Sequence, residues 1–229
     1  MKTGRATEEV AGEAPGWSSK TGRIEPPAIR GAKRAAMPDF VAPELATLKA
    51  QPPAGKGWVH EIKFDGYRLQ AHVADGRVRL LTRGGLDWTD RFGTEVTGAL
   101  AALPVREAVI DGELVVEGSS GASDFAALQA DLSAGRSDRF VFFAFDLIFL
   151  DGQDLRGASL LERKGALPRL LVGATGPVRL SEHFDEEGEM VLRHACRLSL
   201  EGVVSKRGSA TYRSGRGRDW IKSKCADRQ

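Results

Sequence analysis

Two Asp-Gly pairs, Asp65-Gly66 and Asp75-Gly76, cut an alternating stretch between Trp58 and Leu81 into pieces of strand length. Alternation with period two belongs to a half-buried β-strand, and Asp-Gly readily takes the positive φ angles of a tight reversal. The reading is three strands, Trp58 to Phe64, Tyr67 to Ala74 and Arg77 to Leu81, joined as an antiparallel meander. Further strands are expected at Ala108 to Val116, Phe140 to Ile148, Val178 to Ser181, Gly202 to Lys206 and Asp219 to Lys224. Helices fit between them at Thr89 to Leu103, Ser123 to Ala134 and Asp185 to Leu200. Another opens at the capping box Ser159-Leu160-Leu161-Glu162, with Pro168 expected to interrupt or kink it. Hairpins with intervening helices favour an α+β domain with mostly antiparallel sheets over a parallel doubly wound one.

Residues 1–37 are rich in Gly, Pro, Ala and Ser without apolar periodicity and read as a flexible linker or tail, leaving 38–229 as the folded domain. Cys196 and Cys225 make neither a disulfide framework nor a Cys-x-x-Cys pair, and the four His residues lack ligand spacing. A reducing compartment and no structural zinc are expected. The N-terminus has no signal-peptide core, and the apolar run from Phe140 to Leu150 is too short to cross a bilayer, so the expected location is cytoplasmic, with no membrane partner. The formal net charge of +2 hides an asymmetry: eight Lys and Arg between Lys206 and Arg228 face Asp219 and Asp227 alone. Such a segment suits nucleotide phosphates or a polynucleotide backbone, although a solvated basic face has the same composition.

Lys63 ends the first strand, two residues before Asp65, and is the candidate nucleophile. A free lysine, with a pKa of about 10.4, is protonated at neutral pH, so an attacking amine needs nearby cations or desolvation. Lys222 and Lys224, two apart in an expected strand, would present both ammonium groups on one face. Asp111 and Glu113 interrupt a strand that is otherwise apolar, and buried carboxylates need partners: a ribose hydroxyl, a metal, or a structural arginine. Phe145, before Asp146, suits either the core or a base platform.

Together these segments resemble the covalent nucleotidyltransferases, and most closely the ATP-dependent DNA ligases of the bacterial ligase D type. The matching stretches are Glu61 to Arg68, Thr82 to Thr89, Asp111 to Val115, Phe143 to Gly152, Glu201 to Arg207 and Trp220 to Lys224, in the family's order. The resemblance implies two mainly antiparallel sheets flanked by helices, an ATP-grasp-like fold. It implies that Lys63 attacks the α-phosphorus of ATP, carries AMP as lysyl-AMP, and passes it to a 5′-phosphate at a nick.

By position in those motifs, Glu61 would contact the adenine amino group, Ile62 would line the nucleotide site and Phe145 would stack on the base. Arg68 and Glu113 would hold the ribose, and Arg83 would bind phosphate or nicked DNA. Glu201, with Glu113, would hold Mg²⁺ or Mn²⁺. Lys222 and Lys224 would neutralise phosphate charge, Asp65 would orient Lys63, and Lys206 and Arg207 would reach nucleic acid. Implied partners are nicked or broken double-stranded DNA, an OB-fold domain, polymerase or other domains of a longer protein, and a Ku-type end-binding protein, with a monomeric chain. Gly84 stands where this group usually has Asn, and the sequence stops just after Lys224, which fits an excised adenylation domain. RNA ligase, a GTP-using capping enzyme, or a non-catalytic nucleotide- or DNA-binding module are the alternatives.

Overall fold

The computed structural model describes residues 29–174 and 176–225. In chain order the strands are β1 (Lys33–Arg34), β2 (Glu44–Leu48), β3 (Trp58–Ile62), β4 (Tyr67–Ala74), β5 (Arg77–Thr82) and β6 (Glu107–Val116), with α1 (Gly93–Ala101) after a 3₁₀ turn at Thr89–Arg91. Then come α2 (Phe125–Ser133), β7 (Phe140–Leu150), β8 (Gln153–Asp154), α3 (Leu160–Leu170), β9 (Val178–Leu180), β10 (His183–Phe184), α4 (Gly188–Arg197), β11 (Gly202–Arg207) and β12 (Gly215–Lys224).

Two sheets form. One runs β1-β8-β7-β6-β4-β5, with β9 beside β7, and the other runs β10-β3-β11-β12-β2. Pairing is antiparallel except at β7–β9 and β12–β2. The first sheet buries its apolar face, including Leu69, Ile110, Leu114 and Phe142, under helices that contribute Val96, Leu100 and Leu167. A second cluster around Phe145, Tyr212 and Trp220 lies where the sheets meet. Asp124 caps α2 by accepting from the Ala127 N–H, and Ser159 caps α3 by accepting from Glu162.

The expected meander is corrected. Only β4 and β5 form the hairpin, through Asp75 at φ 47° and Gly76 at φ 76°. β3 belongs to the other sheet, so residues 63–66 carry the chain from one sheet to the next. Gly66 makes the crossing feasible, since a Cβ there would lie 2.1 Å from the Leu114 carbonyl oxygen. Order also begins earlier than Pro38: Ile29 is buried in the main core and β1 pairs with β8. The remainder of the expected tail, 1–28, lies outside the described residues. Pro168 does not break α3: it forgoes its own N–H donor, but the helix runs on to Leu170 and the Leu171 N–H still reaches the Leu167 carbonyl oxygen at 2.9 Å.

The cysteines are also corrected. Cys196, at the end of α4, and Cys225, just after β12, form a disulfide with Cα atoms 5.4 Å apart. Their separation of 29 residues has no motif spacing, but α4 packs on β11 and returns its last turn to the edge where β12 finishes. The argument from unpaired cysteines to a reducing compartment therefore falls. Among the described residues no helix is long and apolar enough to cross a membrane.

Candidate active site

Period-two geometry on three neighbouring strands builds the floor of a cavity of about 590 Å³ between the sheets. Glu61, Val204 and Lys222 are paired across β3, β11 and β12 in one row. One step deeper, Val59, Lys206 and Trp220 form the next row. At the mouth, the Lys63 N–H donates to the Gly202 carbonyl oxygen, and Gly202 pairs with Lys224. Gly202 adopts φ 149°, and a Cβ there would lie 2.1 Å from the Ser223 carbonyl oxygen. The opposite wall comes from the first sheet, where Arg68 on β4 pairs in register with Glu113 on β6.

Lys63 projects from the sheet crossing. Its ammonium group contacts the Glu201 carboxylate and donates to the Phe64 carbonyl oxygen at 3.3 Å. The other Glu201 oxygen meets Lys224 Nζ at 3.0 Å, so a single acid bridges the two lysines. Lys222 lines the cavity. Burial lowers its pKa, and the charges of Lys63, Lys224 and Arg216 add to the effect. Glu113 is pushed up to about 7 by burial, with Arg68 and Lys63 partly offsetting this. Arg83 and Ile62 also line the cavity, Arg83 from an exposed loop after β5. The Asp65 N–H donates to Ser123 Oγ, which secures the crossing.

Several expected roles meet different surroundings. Glu61 lines the cavity, but its carboxylate is buried against Lys164 at 3.0 Å and Lys206 at 2.9 Å, and it accepts from Ser181 Oγ at 3.2 Å. An acid in that position is already neutralised, so an adenine amine would meet a fixed ion cluster there.

Lys206, expected to reach nucleic acid, is instead buried between the sheets. It is 2% exposed, with its ammonium group 4.4 Å from the Phe145 ring centroid and 4.1 Å from that of Trp220. Burial lowers its pKa, partly countered by Glu61. The sequence carried the signal, since Lys206 shares a strand face with Val204. Arg207, on the opposite face, is exposed, stacks over Trp58 at 4.4 Å and pairs with Asp219 at 3.2 Å.

Arg68 is bound bidentately by Asp111, at 3.0 and 2.7 Å, so Asp111 is the structural arginine partner among its alternatives. Asp146 is likewise paired with Arg163, at 2.7 and 2.9 Å. Phe145 is 8% exposed and packs edge-on against Trp220 at 6.1 Å, contributing both to the core and to the cavity wall. Trp220 and Val204, inside the matched stretches but given no role, line the cavity with Arg216, and Lys164 stands behind it on Glu61. Alternation along β11 and β12 would have shown Val204 and Trp220, whereas Lys164, from α3, had no local signal.

Among the described residues no group of three or more His, Cys, Asp or Glu converges as a metal cage. Glu113 and Glu201 nonetheless face one region, since the charges of Glu201 and of Lys63, which touches Glu201, are both felt at Glu113. Two carboxylates completed by phosphate oxygens suit a hard divalent cation.

Two mainly antiparallel sheets enclosing a cavity, with a lysine where the chain crosses between them, define the nucleotidyltransferase domain of the DNA ligases. Residues 44–224 match the model of the ATP dependent DNA ligase domain, and the chain belongs to that family. It is 45% identical over 215 residues to the multifunctional non-homologous end joining protein LigD of Pseudomonas aeruginosa, covering 91% of this chain and 25% of that protein. The chain thus spans about a quarter of the length of such curated relatives. The structure of the ligase domain from Mycobacterium tuberculosis LigD superposes with a TM-score of 0.71 at 33% identity, covering 81% of this chain and 61% of that one. A mycobacterial DNA ligase D complexed with ATP and MES gives 0.70 at 34%, over 81% and 60%.

Proposed function

We propose that this domain performs the self-adenylation step of ATP-dependent DNA ligation. Lys63 Nζ forms a bond to the α-phosphorus of ATP, the bond to the β-phosphate oxygen breaks, and pyrophosphate leaves. The AMP then passes to a 5′-phosphate at a DNA nick. The observation that carries this reading is the placement of Lys63 at the mouth of a nucleotide-sized cavity, touching Glu201 and facing Lys222 and Lys224.

Each residue has a role in this reading. Glu201, in contact with Nζ, orients Lys63 before attack, and the proton that Lys63 loses goes to solvent at the mouth of the cavity. Lys222 and Lys224 offset charge on the phosphates, as preorganised cations do in a desolvated site. Phe145, Val204 and Ile62 bound the base, with Glu61 behind it and Arg68 and Glu113 at the ribose. Asp65 secures the corner that aims Lys63, and Arg83 and Arg207 meet DNA phosphates. Glu113 and Glu201 would hold Mg²⁺ or Mn²⁺, which supplies electrostatic stabilisation of the α-phosphate. The names of the relatives support a place in non-homologous end joining. In this reading the domain works on broken DNA in the cytoplasm, at the chromosome, with an OB-fold domain, a polymerase and a Ku-type end-binding protein as partners.

The test is incubation with ATP labelled on its α-phosphate, followed by peptide mapping. One AMP on Lys63, removed by pyrophosphate and lost in Lys63→Ala, is the expected result. AMP on Lys222 or Lys224, or undiminished labelling of Lys63→Ala, contradicts it.

A further inference from the structure

A closed ring of hydrogen bonds lies behind the ribose end of the cavity, and of its members Arg68 lines the cavity. The Tyr212 hydroxyl donates to Asp111 Oδ2 at 2.8 Å. Asp111 holds Arg68 through both oxygens, and Arg68 Nη1 donates to the Glu44 carbonyl oxygen at 2.6 Å. The Glu44 N–H returns to the Tyr212 hydroxyl at 3.1 Å. Asp111 and Arg68 belong to one sheet and Glu44 to the other, so one hydroxyl on the segment joining β11 to β12 ties the two walls of the cavity together.

We infer that Tyr212 is a positioning residue for nucleotide binding, acting through Arg68 and Trp220 without touching the nucleotide itself. This rests on the adenylation reading above.

Three observations support it. Tyr212 is 6% exposed, and the Asp111 it addresses is fully buried, so water does not replace the bond when it is removed. Burial and Asp111 both raise the phenol pKa, which keeps the hydroxyl a donor at all working pH values. The ring stands edge-on to Trp220 at 6.2 Å, and the Arg68 guanidinium sits 5.3 Å from the ring centroids of both Trp220 and Phe145. Three of the five Arg68 N–H groups are used in the ring, which leaves two for a ligand in the cavity that Arg68 lines. Without the hydroxyl, Asp111 is held on one side only, and the arginine is free to tilt.

Tyr212→Phe removes the hydroxyl while keeping the ring on Trp220. AMP labelling of Lys63 across a range of ATP concentrations, with calorimetric ATP binding and a melting curve for each protein, separates the outcomes. The expected result is a half-saturating ATP concentration raised about 3- to 10-fold, with the maximal labelling rate within twofold of the parent; tenfold corresponds to about 1.4 kcal/mol. In an Arg68→Lys background the same change should add less than twofold, because the route through Arg68 is already broken. A lowered melting temperature with unchanged half-saturation makes Tyr212 structural and overturns the inference, as does an undiminished effect in the Arg68→Lys background. A parent that neither labels Lys63 nor binds ATP refutes the adenylation reading and this one with it. A parent that labels normally beside an unaffected Tyr212→Phe refutes this one alone. Should Tyr212→Phe not fold, ATP binding by Asp111→Asn, which breaks the ring from its other side, must weaken by a similar factor or the inference fails.

Discussion

Replacing Glu113 by Gln should change how the stability of this domain depends on pH. A glutamate with a pKa of 4.5 in the unfolded chain and about 7 in the fold holds its proton more tightly when folded. Its contribution is intact below pH 4.5 and is lost as the pH rises through 7. Integrating that single titration gives a loss of about 2.5 kcal/mol between pH 5 and pH 8. Burial is the main cause, and the charges of Arg68 and Lys63 are already counted against it. Gln keeps the shape and removes the titration. Urea unfolding of protein freed of AMP, run at pH 5 and pH 8, should therefore show the parent losing about 2–3 kcal/mol more than Glu113→Gln, at equal denaturant slopes. Glu44 also titrates near 7 and remains in both proteins, so it cancels in the comparison. Identical pH dependence in the two proteins would refute the assignment of a desolvated, proton-retaining carboxyl at this position.

Glu44→Gln should flatten the same pH profile independently, since its shift to about 7 also comes mainly from burial; unfolding across that range checks it. Arg163→Met should destabilise the fold by about 3–5 kcal/mol, because it leaves the fully buried Asp146 without its bidentate partner; adding Asp146→Leu should recover much of the loss in the same urea assay. Gly66→Ala should lose folded protein on expression or melt well below the parent, since its Cβ would meet backbone 2.1 Å away. Deoxy-ATP should label Lys63 more slowly than ATP, and Glu113→Ala should shrink that ratio, whereas Phe145→Ala should slow both nucleotides alike in competition labelling.

Local pattern reaches local structure. Asp75-Gly76 and the alternation beside it matched β4 and β5 to within a residue, and Ser159 marked the start of α3, whereas α1 and α4, which have no side-chain cap, begin later than Thr89 and Asp185, at Gly93 and Gly188. What alternation cannot carry is which sheet a strand joins. Trp58 to Ile62 reads the same whether it pairs with β4 or with β11, and the steric demand at Gly66 that separates them comes from Leu114, 48 residues away. The ends of the site were legible for a similar reason: Lys63, Lys222 and Lys224 stand at strand ends in motifs, while Lys164 arrives from a helix with no motif at all. Lys206 shows the reverse error, a charge counted toward a basic surface although its strand face points between the sheets.

The bond between Cys196 and Cys225 makes a covalent loop of the chain segment that holds Glu201, Lys222 and Lys224. A protease that cut the stretch between β11 and β12 would therefore not release either strand: the two fragments would travel as one molecule until a reductant was added. Integrity of the backbone and integrity of the lysine-bearing floor are thus separate properties in this domain, and a gel run without reductant reports the second while concealing the first.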